Sequence, residues 1–130
     1  MDFNKKYGST DPKRLAKWFK LDGAEFFIAP SNNIAFKKAA LKYFTVKDVE
    51  GALNSRPASE LVEMESAMKA EAVLLDWKGV KDGDTEVVYA EETAKQYLVD
   101  YEDFRLWVDD CANKLATDKT NKTTALKKTS

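Results

Sequence analysis

The chain has 130 residues, of which 44% are hydrophobic and 33% charged, which is typical of one folded domain; we place it at residues 1–115, with a flexible basic tail at 116–130. It contains no histidine and one cysteine, Cys111, so an internal disulfide and a zinc site of the usual Cys/His type are excluded, and no cofactor is expected. The net charge is −1, the N-terminus lacks the apolar region of a signal peptide, and no apolar run approaches the roughly 18 residues of a membrane span, so we expect a cytoplasmic protein that does not bind membranes.

The first part of the chain predicts short elements joined by turns. An Asp-Pro pair at 11 and 12 is typical of a helix start, so residues 12–20 are predicted to form a short helix. Asp22-Gly23 predicts a tight turn, and the following AEFFIA predicts a strand that pairs with residues 18–21 or with a later strand. An asparagine at 32 or 33 is expected to cap a helix that reaches about residue 44, and a capping pair at 45 and 48 predicts another short helix to about residue 53.

The middle of the chain predicts a long helix followed by a small β-hairpin. From Ala58 onward apolar residues recur at spacings of three and four, and this helix is predicted to end at Gly79. Asp82-Gly83 is typical of a two-residue turn, so Val80 and residues 86–89 are predicted to form the arms of a hairpin. The apolar stripe of the helix consists of Leu61, Met64, Met68, Ala72 and Leu75.

The last third of the chain predicts helix with one apolar face. Two glutamates at 91 and 92 fall in the first turn, where negative charge is favoured by about 0.3–1 kcal/mol each. No glycine or proline interrupts residues 91–115, so this segment forms either one long helix or two helices separated by a bend at the polar cluster 100–103. The tail has almost no large apolar residue, so we expect it to be disordered. The apolar face, which we call the seam, consists of Ala94, Tyr97, Tyr101, Phe104, Val108, Cys111 and Leu115.

Candidate catalytic and ligand-binding patterns are few. Ser66 and Lys69 match the S-x-x-K pattern of acyl-transfer enzymes, but they fall within an amphipathic helix and lack the companion motifs. Acidic residues at 82, 84 and 86 have calcium-loop spacing but lack the required glycine and the final glutamate. Basic residues at 13–20 near Trp18 resemble a small nucleic-acid patch, which an ordinary basic helix face explains more simply. We therefore expect a protein that is not an enzyme and that binds neither metal nor nucleic acid.

The charges are unevenly distributed along the chain. Residues 1–50 carry 10 basic and 6 acidic side chains, residues 51–112 carry 6 and 15, and residues 113–130 carry 5 and 1. An acidic body between basic ends favours head-to-tail self-association or a basic partner, while solvated helix faces are the plainer explanation of the same pattern.

Two segments resemble the tail assembly chaperones of long-tailed, siphovirus-type bacteriophages. The first is LLDWKGVKDGDTEVVYAEETAKQYL, residues 74–98, with an apolar helix end, Trp77, an acidic turn, a short strand ending at Tyr89 and a helix opened by two glutamates. The second is FFIAPSNNIAFKKAALKYF, residues 26–44, which is similar to that family's strand, turn and helix, so the resemblance spans about residues 24–112. The sequence departs from the family pattern at Pro30, Ser31 and Ala90.

The resemblance implies a non-enzymatic protein of the host bacterial cytoplasm that keeps the tape measure protein soluble and recruits major tail (tube) subunits to it. Such a protein is absent from the mature virion and needs apolar surface for another polypeptide. The alternative for the seam is that it is simply buried core. The residues expected to bind the partner are Trp77, Tyr89, Tyr97, Tyr101, Phe104 and Val108.

Two other classes of protein fit the same residues. A structural phage component, such as a head-tail connector or minor tail protein, would remain in the virion. A small nucleic-acid-binding regulator would use the basic residues at 13–20. The chaperone family also often makes a longer product by ribosomal frameshifting, and Leu126-Lys127-Lys128 can be encoded by a slippery run of adenines, which the nucleotide sequence tests.

Overall fold

The computed structural model describes residue 1, residues 11–43 and residues 57–129, with side chains described as far as Thr117. The fold is α+β and mainly helical, as predicted, and the short helix predicted at 45–53 lies outside the described residues. The helices are α1 (Ile34–Tyr43), α2 (Ala58–Ala72), α3 (Glu91–Asp100) and α4 (Glu102–Thr129). The strands are β1 (Lys17–Leu21), β2 (Ala24–Ile28), β3 (Leu74–Lys78), β4 (Lys81–Asp82) and β5 (Thr85–Glu86).

The predicted turn at Asp22-Gly23 joins β1 and β2, with φ of 50° and 82° at its two residues. The helix predicted at 12–20 is wrong beyond its first turn, because a 3-10 turn at Pro12–Arg14 is followed by strand β1. A tight turn of this kind holds the segments on its two sides antiparallel to each other, so residues 17–21 pair with β2. The rings of Trp18 and Phe27, which are direct cross-strand neighbours, lie 5.0 Å apart and add to that pairing.

Strand β3 is the largest difference from the sequence-based prediction. The long helix ends at Ala72 and not at Gly79, and β3 continues the chain antiparallel to β2. The strand order is β1-β2-β3, so β3 pairs with the edge of β2 that β1 leaves open. A backbone hydrogen bond of 2.9 Å from Ala29 N to Val73 O fixes the start of this pairing. A long-range partner therefore overrides the local helical pattern.

The predicted hairpin is confirmed, with a small shift of its turn. Strand β4 pairs with β5, and Val87 N donates a 2.8 Å hydrogen bond to Val80 O below them. The two residues between the paired positions are Gly83 and Asp84, one residue later than the predicted Asp-Gly turn. Gly83 has φ of 65°, as such a turn requires.

The two predicted outcomes for residues 91–115 are resolved in favour of a bend. Helix α3 ends at Asp100, Tyr101 is extended with φ −118° and ψ 92°, and α4 begins at Glu102. Arg105 donates hydrogen bonds from Nη1 to Leu98 O at 2.8 Å and Val99 O at 3.4 Å, so its guanidinium satisfies carbonyls that the end of α3 leaves free.

The hydrophobic core lies between the three-stranded sheet and helices α2, α3 and α4. Every second residue of β2 is buried, so one face of the sheet is turned to the core. The buried residues of this core are Ala24, Phe26, Ile28, Ala70, Val73, Leu74, Trp77, Ala94, Leu98, Val108, Cys111 and Ala112.

A few polar contacts connect the helices at the edge of the core. Asn33, one of the two predicted caps, accepts from Phe36 N at 2.8 Å, and its Nδ2 donates to Ala72 O at 3.0 Å, which joins the start of α1 to the end of α2. Lys69 and Asp109 form an ion pair of 2.8 Å between α2 and α4. The backbone of α4 continues to Thr129, but side chains beyond Thr117 lie outside the described residues, so the flexible tail at 116–130 stays a prediction.

Candidate partner-binding site

Aromatic rings from the three-stranded sheet, the segment after the hairpin and both C-terminal helices meet in one continuous cluster. Trp77 lies near its centre, with ring centroids 5.0 Å from Tyr89, 5.5 Å from Tyr97 and 6.3 Å from Phe26. Contacts of this kind contribute about 0.5–1.5 kcal/mol each beyond area burial. We call this group the aromatic cluster; its members are Phe19, Phe26, Trp77, Tyr89, Tyr97, Tyr101, Phe104 and Trp107.

Trp77 is fixed in the cluster by contacts with neighbouring rings and by its one polar atom. Its ring stacks on Tyr97 with an interplanar angle of 14°, and Tyr89 approaches it edge-on at 80°. Its indole Nε1 donates a 2.8 Å hydrogen bond to Val87 O, which attaches the segment after the hairpin, residues 87–90, to β3. Because only 4% of Trp77 is exposed, it supports the cluster from within.

Tyr89 connects the same segment to the end of α2. Its hydroxyl lies 2.7 Å from Leu74 O and 3.3 Å from Ala70 O, and it donates its proton to these carbonyls. Burial raises the pKa of Tyr89 to about 12, and the negative charges of Glu91 and Asp76 act in the same direction. The hydroxyl is therefore a neutral donor over the whole physiological range.

A cleft of about 400 Å³ lies between β3 and the segment that follows the hairpin. Leu75 and Val87 contribute apolar lining, Trp77 and Tyr89 border it, and Val88 is 80% exposed. Lysine and acidic side chains also line the cleft, so its lining is partly apolar and partly charged.

The exposed end of the aromatic cluster is Tyr101, in the bend between α3 and α4. Its ring contacts Tyr97 at 5.8 Å, while 58% of the residue is open to solvent. Its position outside the helices follows from the extended backbone there, which turns the residue away from the helix repeat. An aromatic side chain with one face supported and the other exposed is typical of a protein-binding surface.

The six residues predicted to bind a partner lie close together but differ in exposure. Val108 is fully buried and Trp77 nearly so; Tyr89, Tyr97 and Phe104 are half-buried; Tyr101 is exposed. The alternative that the seam is core is therefore correct for Val108. Phe19, Phe26 and Trp107 pack in the same cluster but are not among the six predicted residues, although the run of aromatics in β1 and β2 is a visible signal.

The sequence patterns considered for chemistry lie in unreactive surroundings. Ser66 is fully buried in α2, and Lys69 pairs with Asp109, so this pair does not form an accessible nucleophile and base. Burial raises the pKa of the Cys111 thiol, with Asp110 adding to the effect, which disfavours the reactive thiolate. Within the described ranges, no group of three or more Cys, Asp or Glu side chains could hold a metal ion.

The fold and the cluster define a small α+β domain with an aromatic surface, and sequence comparison supplies its family. A family model described as YdaY prophage protein matches residues 30–128, so the chain belongs to this prophage family. No curated protein and no solved structure matches the chain significantly. None of the helices in the part of the chain that the structure describes is long and apolar enough to cross a membrane.

Proposed function

We propose that this prophage protein is a non-enzymatic tail assembly chaperone that binds the tape measure protein and recruits major tail subunits to it. Membership of a prophage family supports a role in phage biology. The single observation that favours binding of another polypeptide is Tyr101, 58% exposed at the open end of a cluster of aromatic rings.

The proposed mode of binding places an apolar stripe of a tape measure helix against Tyr101 and the half-buried rings beside it. Tyr97 and Phe104 extend this surface, and Trp77 and Tyr89 hold it in position from below. Tyrosine suits this role because its two rotatable bonds lose little entropy when the ring is fixed by a partner. A helix laid on such a surface uses side chains three and four positions apart.

Tyr101→Ala tests the proposal directly. We expect the variant to fold normally, because the side chain is mostly exposed, and to bind a tape measure fragment from the same prophage at least about tenfold more weakly. The measurement is copurification after coexpression, followed by titration calorimetry of the purified pair. Tyr101→Phe keeps the ring and should keep most of the affinity.

Leu15→Ala provides a control outside both the aromatic cluster and the cleft, since Leu15 is 42% exposed in the turn before β1. It should leave the affinity unchanged. Equal binding by wild type and Tyr101→Ala would show that Tyr101 is not part of the interface. Failure of the wild type to bind any tape measure fragment would contradict the chaperone function.

Mass spectrometry of purified particles separates the chaperone from a structural phage component. A chaperone acts in the host cytoplasm during assembly and should be missing from particles, whereas a head-tail connector or minor tail protein would be present. The frameshift hypothesis is tested in the gene, where a slippery run at codons 126–128 should be followed by an overlapping reading frame.

A further inference from the structure

Helix α1 presents an exposed surface that carries both basic and apolar side chains. Leu41 is 81% exposed and Ile34 50% exposed, seven positions apart on the same side of the helix. Lys37 and Lys38 are exposed between them, three or four positions from each. No acidic residue occurs in α1, and we call this surface the basic face.

An acidic cleft of about 520 Å³ lies between the first turns of α2 and the bend that joins α3 to α4. Val62 and Val99 contribute its apolar lining, and Glu63, Asp100 and Glu102 its negative charge. Arg105 also lines the cleft, but three carboxylates face this one guanidinium, so the lining carries net negative charge.

The basic face and the acidic cleft are complementary in charge, and both contain apolar residues. The basic face has two lysines with Ile34 and Leu41, and the cleft has three carboxylates with Val62 and Val99. Apolar contact supplies the binding energy in such an interface, and the surrounding charges set its orientation.

One chain cannot bring its own two surfaces together in this fold. Helix α1 is held at the C-terminal end of α2, through Asn33 to Ala72 O and through a 3.5 Å ion pair between Lys42 and Glu71. The cleft lies at the other end of α2, where Val62 and Glu63 are nine and eight residues before Glu71. That separation is roughly 12–13 Å along the helix axis.

We propose that a second copy of this chain docks its basic face, including Leu41, into the acidic cleft. The two contacting surfaces are different, so the contact is heterologous, and each bound copy leaves one face and one cleft free. Repetition of such a contact gives a ring or an open filament and not a closed dimer. The inference does not depend on the identity of any phage partner.

Sedimentation velocity of the full chain from about 1 μM to about 1 mM tests this association. The wild type should form species larger than a dimer, and raising the salt from about 50 mM to about 0.5 M should weaken them, because exposed charges are screened. Leu41→Glu places a negative charge against the cleft and should weaken association at least about tenfold. Val88→Glu, at 80% exposure on the hairpin side, is the matched control and should associate like the wild type.

A mixing experiment distinguishes a heterologous contact from any symmetric one. Leu41→Glu lacks a working basic face, and a Glu63→Lys, Asp100→Lys variant lacks a working cleft, so each alone should be monomeric. Mixed together, one intact face meets one intact cleft, and a 1:1 dimer that does not grow further should form. A wild type that stays monomeric over the whole concentration range, or a mixture that stays monomeric while the wild type associates, would overturn the proposal.

Discussion

The hydroxyl of Tyr89 makes the free energy of unfolding depend on pH in the alkaline range. Its pKa of about 12 in the folded protein is above the value of about 10 in an unfolded chain. A group whose folded pKa is raised contributes its full stabilisation below the unfolded pKa and loses it as the pH rises through the folded one. The stabilising contribution of Tyr89 is therefore complete below about pH 10 and lost between about pH 10 and pH 12.

Tyr89→Phe removes this hydroxyl and its hydrogen bond to Leu74 O. We expect the free energy of unfolding to fall by about 1–2 kcal/mol at neutral pH, because a buried carbonyl loses its hydrogen bond. The difference in unfolding free energy between wild type and variant should shrink above about pH 10, as measured by urea unfolding at several pH values. A difference that is the same at pH 8 and pH 11 would show that the hydroxyl is not the titrating group responsible.

Leu98 shows how strongly burial separates residues of the same type. It is fully buried where α3 meets the core, whereas Leu106 in α4 is 50% exposed. Leu98→Ala should lower the free energy of unfolding by about 2–5 kcal/mol, and Leu106→Ala by less than about 1 kcal/mol. Thermal and urea denaturation measure both, and equal losses would contradict the packing described here.

The end of β3 is fitted closely against the turn between β1 and β2. Gly79 has φ of 73°, and a Cβ at this position would lie 3.2 Å from Gly23 O and 3.5 Å from the Cα of Ala24. Gly83, in the hairpin turn, has a similar φ of 65° but nothing within 4 Å of an added Cβ. A side chain at either glycine would strain the backbone, but only at Gly79 would its Cβ also be crowded by neighbouring atoms.

Alanine at these two positions separates those effects. Gly83→Ala should cost about 1–2 kcal/mol of unfolding free energy, the usual strain of a left-handed residue with a side chain. Gly79→Ala should cost roughly 1 kcal/mol more, because the β1–β2 turn must shift to admit the methyl group. Urea unfolding of both variants provides the comparison, and a Gly79→Ala loss no larger than that of Gly83→Ala would mean that the turn moves freely.

The C-terminal seam illustrates how far a helical pattern extends. Its spacing placed Ala94, Val108 and Cys111 on one face, and all three are buried. The same spacing included Tyr101, which the bend exposes. Periodicity assigns residues to a face of a regular helix, and it makes no statement about a residue where the helix is interrupted.

The packing of the elements decides which charged side chains of the molecule lie together. The sequence has basic ends and an acidic middle, and the fold places Lys37 and Lys38 on an exposed helix beside α2. It brings Glu63, Asp100 and Glu102, which are up to 39 residues apart, to one cleft. A net charge of −1 would have predicted neither surface.

Local chemistry was enough to predict the turn at Asp22-Gly23, the strand AEFFI, the hairpin and the start of α3, because the residues involved are neighbours in the chain. Strand β3 could not be obtained this way: residues 74–78 have a helical apolar spacing, and their partner strand lies about fifty residues earlier. The aromatic cluster depends on the same long-range pairing, since Phe26 meets Trp77 only when β2 lies beside β3. Packing likewise decides which aromatic residues are buried and which face solvent, because exposure depends on what the rest of the folded chain covers.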